Sequence, residues 1–226
     1  MGAVTAAVVL IGALHVVPPS SALSPYRRTI SEYALLETGP IFNVAVLVLA
    51  AGSVATVLAL VGASLAPARS GGVLALLLWS VALAAVVYFP KHSWSLGPSN
   101  NGTIHRAASL IAFLSLPLGA LLIGRAWRAH PRWRGHAGWS LGLGLCSLLC
   151  FSPIAIAILA QPLTGVRWWR AIPLGAVERL LAISEVVTVL ALAWWAARAS
   201  GAARTRPDPG GSAGGADGGK VAAEGV

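Results

Sequence analysis

Charge is what this sequence has least of. Charged residues make up 10% of the 226 positions, and only seven of them are acidic. A soluble domain carries about 25%, so an ordinary water-soluble globule is excluded. Disorder is excluded by the same scarcity, because unfolded chains are polar and highly charged. Two cysteines, Cys146 and Cys150, are too few for a disulfide framework. What fills the chain instead is apolar: 57% of residues are hydrophobic and the mean hydropathy is +0.77. The 16 Lys and Arg outnumber the acids for a net charge of +9, yet they sit in short runs between long apolar stretches. Such runs mark membrane topology and imply no nucleic-acid groove. The expected class is an all-α polytopic membrane protein.

A bilayer core about 30 Å thick takes roughly 20 apolar residues as helix. Five segments have that length: Ile41 to Leu65, Gly72 to Phe89, Ala107 to Gly124, Gly138 to Ala160 and Ile172 to Ala197. A shorter sixth, Ala3 to Val17, carries His15 and ends before Pro18-Pro19. A cleaved signal peptide is its alternative reading, with Ser20-Ser21-Ala22 as the cleavage region. No Lys or Arg precedes that apolar run, which argues for retention and for a bundle of six helices over residues 1–200. Residues 201–226 hold eight glycines and few apolar groups, and read as a disordered tail.

With six spans, nine cations fall on the side of the termini, among them Arg125, Arg128, Arg132 and Arg134. Six or seven fall on the other side. That excess predicts cytoplasmic N- and C-termini in a cell membrane. Trp127, Trp133, Trp139 and Trp194-Trp195 on one side, with Trp94 and Trp168-Trp169 on the other, read as interfacial aromatic belts. Gly138, Gly142, Cys146 and Cys150 recur every four residues, which predicts a small-residue stripe for close helix packing. Pro117 and Ser152-Pro153 are expected to kink their helices.

The first, third and fifth loops should meet at one, outer, face. Thr29 and Glu32 have capping-box spacing and predict a short interfacial helix. Around them gather Lys91, His92, His105, Arg106, Glu178 and Arg179, with Arg167 and Arg170 nearby. Here the residues resemble a known pattern. Ile30-Ser31-Glu32-Tyr33 is followed by Gly39-Pro40-Ile41-Phe42-Asn43, then by Phe89-Pro90. Gly102-Thr103-Ile104-His105-Arg106-Ala107-Ala108-Ser109 and Glu178-Arg179-Leu180 complete it. Over residues 5–198 this order is similar to the prokaryotic six-span membrane family known only as a domain of unknown function (nine-nine-eight). The resemblance implies a six-helix fold and no particular activity. The family often has an acid shortly after Phe-Pro, where this chain has Lys91-His92.

Glu185 lies about 16 Å into the last span, near the bilayer centre. A carboxylate there costs a few kcal/mol unless it is protonated or paired. Glu178 and Glu185 share a helix face that should point inward, with Asn43 or His15 as candidate partners of Glu185. His105 is expected to order the outer mouth through hydrogen bonds to Glu32 or Glu178. His92 and His105 show no recognised zinc-ligand spacing, so neither a metal nor a cofactor is expected.

The leading expectation is a non-catalytic protein binding a membrane lipid or hydrophobic small molecule. Its anionic end would meet the outer arginines Arg106, Arg167, Arg170 and Arg179, in a polar binding cluster with Glu32, His105 and Glu178, since guanidinium forks suit phosphate geometry. One alternative is a proton-coupled carrier using Glu185, with His15 as a second buried ionisable group. Another is a membrane-embedded enzyme on a lipid-like substrate, with His105 and Glu178 or Glu32 as acid–base pair.

Overall fold

A computed structural model describes residues 1–91 and 99–204. Seven α-helices follow one another: α1 (Gly2–Leu14), α2 (Gly39–Gly62), α3 (Gly71–Tyr88), α4 (Asn100–Trp127), α5 (Arg134–Thr164), the single-turn α6 (Trp168–Ala171) and α7 (Leu174–Arg204). Five of them, α2 to α5 and α7, are long and apolar enough to cross a membrane; α1 is apolar but shorter. The protein is thus a membrane-type helical bundle, and no strand occurs among the described residues. His92, Trp94 and residues 205–226, with most of the expected tail, lie outside the described residues.

Local chemistry sets the helix starts. Ser70 accepts a hydrogen bond from the Val73 N–H at 3.4 Å, and Ser99 accepts one from Gly102 at 3.0 Å, relieving the first orphan donors of α3 and α4. Gly165, at φ +66°, takes the left-handed conformation that closes α5. The helices run through Pro117 and Pro153 without interruption.

Neighbours in sequence are neighbours in space: α1 lies on α2, α2 on α3, α3 on α4 and α4 on α5, while α7 closes the ring against α5 and α2. Fully buried Leu14, Leu60, Leu116, Leu192 and Trp195 form the core between them. In lipid, helices associate through tight packing and hydrogen bonds more than through the hydrophobic effect. Gly72 and Gly119 supply the close approach of α3 to α4, since a Cβ on Gly119 would come within 3.0 Å of the Gly72 carbonyl oxygen. Trp79 donates to Ser53 Oγ across α3 and α2 at 3.0 Å, and Ser140 donates to the Ala120 carbonyl across α5 and α4 at 2.8 Å.

Two expectations are corrected here. The stripe Gly138, Gly142, Cys146 and Cys150 faces away from the bundle: the first three are exposed, and nothing lies within 4 Å of a Cβ built on either glycine. Packing instead uses the neighbouring face, Ala137, Ser140, Gly144 and Ser147, all buried. The aromatic belt also divides. Trp139 and Trp194 are exposed as expected, but Trp195 is only 1% exposed and its neighbour Trp127 donates to the Leu65 carbonyl at 2.6 Å.

Candidate functional site

The first loop, Lys91 and the start of α7 do meet at one end of the bundle. Thr29 and Glu32 form the expected capping box, opening a 3₁₀ turn over Ile30–Leu35. Glu32 is buried and also pairs with Arg28 at 3.2 Å and Lys91 at 3.4 Å. Lys91 donates further to Thr29 Oγ1 at 2.6 Å. Glu178 accepts the Ile30 N–H at 3.1 Å, tying α7 to that turn.

Arg179 points elsewhere. Its Nη1 donates to the carbonyls of Pro25 (2.8 Å), Arg28 (2.7 Å) and Gly175 (3.0 Å), and its Nη2 to the Tyr33 hydroxyl (3.0 Å). Its Nε donates to His15 Nε2 at 2.9 Å, while His15 Nδ1 donates to the Ile11 carbonyl at 2.8 Å. His15 is thereby fixed as the Nδ1–H tautomer, and it belongs to Arg179. The guanidinium, also placed over the Tyr33 ring at 5.8 Å, clamps α1, the first loop and α7 together. Gly175 allows that approach, because any Cβ there would run into the carbonyl oxygens of Pro25 and Arg28.

His105 is buried, with Nδ1 3.0 Å from the carbonyl oxygens of both Val86 and Phe89. It therefore donates to the end of α3, in place of the expected bonds to Glu32 or Glu178. Glu178 and Arg179, adjacent in sequence, likewise hold different partners: Ile30 N–H for the one, and carbonyls, Tyr33 and His15 for the other. Arg106 is exposed and lines a vestibule of about 100 Å³ with Lys91, His105, Glu178, Trp168 and Trp169. The two tryptophans, read from the sequence as belt residues, form part of its wall, whereas Arg167 and Arg170 do not line it.

Below this vestibule lies a larger cavity of about 420 Å³, and the two share Ser31, Ser109, Phe113 and Glu178 as lining. Its walls are mostly apolar side chains of α1, α2, α3, α4 and α7, including Ile11, Phe42, Val46, Trp79, Leu83 and Val186. Val8 of α1 and Ile183 and Val187 of α7 line it while remaining 46%, 60% and 42% exposed. The cavity therefore opens sideways, at the bundle surface between α1 and α7. Glu178 and Glu185 both line it, as their shared face predicts. Glu185 is fully buried, and neither carboxyl oxygen has a hydrogen-bond partner among the described residues. The expected partner His15 is held by Arg179, and no bond from Asn43 reaches it.

The family model described as Protein of unknown function (DUF998) matches residues 1–195. The chain belongs to that family. Membership covers every helix that builds the vestibule and the cavity, so the site lies wholly inside the family's domain. No curated protein and no solved structure matches the chain.

Proposed function

We propose that this protein binds an amphiphile, a lipid or other hydrophobic molecule, with its apolar part in the large cavity and its anionic end in the vestibule beside Arg106. The observation that carries this reading is the sideways opening between α1 and α7, which joins an apolar cavity to the level where lipid chains would lie. Its volume falls within the roughly 300–1,000 Å³ of small-molecule sites. Trp168 and Trp169 offer apolar walls beside the charge, a combination suited to a headgroup. His105 and Glu178 line the vestibule, Glu32 holds Lys91 and Thr29 in its wall, and Arg179 borders the larger cavity. Arg106 is the anion contact, and the excess of cations at the opposite end turns the vestibule to the outer face.

Gently purified protein, examined by native mass spectrometry and lipidomics, should carry an enriched amphiphile. Ala182→Phe, which fills the cavity, should remove it, and Arg106→Ala should weaken retention of anionic species. Consistent absence of any enriched molecule overturns the reading.

The acid–base enzyme alternative would need His105 and Glu178, which both line the vestibule, within hydrogen-bond reach of each other, since Glu32 serves the cap and two cations. A proton-coupled carrier keeps one supporting observation, the unpartnered Glu185 inside a cavity. It requires pH-driven flux in proteoliposomes that Glu185→Gln abolishes.

A further inference from the structure

We infer that the molecule taken into the cavity carries a hydrogen-bond donor, a hydroxyl or an ammonium group, that seats on the Glu185 carboxyl at mid-span. This inference rests on the amphiphile-binding reading. Glu185 is 0% exposed and lines the cavity, yet both of its oxygens are without a partner among the described residues. A buried carboxyl left in that state costs several times what an average hydrogen bond returns.

Among the described residues, the hydroxyl, indole and guanidinium donors nearby are engaged elsewhere. On α7 itself, Ser184 donates to the Leu181 carbonyl and lies 3.0 Å from Ser147 Oγ, while Thr188 donates back to Ser184. Across the cavity, the Trp79 indole N–H is taken by Ser53. At its upper end, Arg179 is spread over three carbonyls, a phenol and His15. Glu185 borders the cavity, and a guest there reaches its carboxyl by displacing the side chains that cover it.

The ligand's group follows from carboxyl chemistry. An O–H or N–H satisfies Glu185 whether the acid is ionised or neutral. An ester or ether oxygen satisfies only the neutral acid, and a second anion is repelled by the ionised form. Glu185 lies two helical turns below Glu178, about 10 Å along the axis. The donor therefore sits deep in the cavity, well away from the vestibule, and selects among molecules of similar hydrophobicity. Sites built to bond a polar group discriminate strongly against analogues that lack it.

The test uses the full chain in phosphatidylcholine nanodiscs and three probes of equal chain length: dodecanol, dodecylamine and dodecyl methyl ether. Native mass spectrometry should show the alcohol or the amine, or both, binding at least about tenfold more tightly than the ether. Glu185→Leu should abolish that preference. Glu185→Gln, which keeps the shape and an acceptor, separates the two donors: ammonium binding should fall about tenfold while hydroxyl binding holds. Equal binding of all three probes, or a preference that survives both variants, overturns the Glu185 seat while leaving amphiphile binding intact. Failure of every probe to bind, with no amphiphile lost on Ala182→Phe, overturns both.

Discussion

Two polar regions only two helical turns apart treat their charges in opposite ways. At the vestibule end, Arg179 makes five hydrogen bonds to three segments of the chain, and Glu32 serves a helix cap and two cations. Around Glu185 the same helix offers no partner and the helices leave open space. The first arrangement resembles a structural joint, in which Arg179 and Glu32 each hold several partners. The second retains an unsatisfied group where natural cores rarely tolerate one. Polar residues in this bundle thus divide by satisfaction more than by location.

The comparison can be broken most forcefully at the joint. Arg179→Ala should cost about 2–4 kcal/mol, since it strands a set of carbonyls and frees α1 from α7. Thermal unfolding in detergent should show a large drop, and Arg179→Lys should restore little because one ammonium cannot span the same acceptors. Gly175→Ala should follow at about 2–3 kcal/mol, by forcing its Cβ against the Pro25 and Arg28 carbonyls. Both losses should appear without any ligand present.

The cavity should answer with the opposite sign. Glu185→Leu removes an unpaired buried carboxyl, so the unliganded protein should gain about 1 kcal/mol in the same melts. A loss there would mean that Glu185 has a structural partner after all. The smallest effect is expected on the outward face of α5. Gly142→Leu should change stability by no more than about 0.5 kcal/mol, because no neighbour lies where its side chain would go.

The spans were legible because hydropathy is summed over a whole helix and is insensitive to which face packs. The Thr29–Glu32 cap was legible because both partners lie within one turn of chain. The α5 packing face was not. Small residues recur on two adjacent faces of that helix, and a period of four marks both Gly138-Gly142-Cys146 and Ser140-Gly144 without saying which meets a neighbour. His15 and Arg179 are separated by 164 positions, so nothing local announces their bond. The depth of Glu185 could be counted from the helix start, but its isolation depends on where four other helices place their donors. Trp168 and Trp169 have the composition of a belt, and only the fold turns them into a wall.

The cavity owes one side to α1 and the other to α7, which follows α1 to α5 in the chain. A growing chain that has released only α1 to α5 therefore lacks one wall of that cavity. The site comes into being when α7 arrives and Arg179 reaches back to Pro25 and Arg28. Capture of a molecule in that cleft would fasten α1 to α7, so that occupancy reports completed assembly of the bundle.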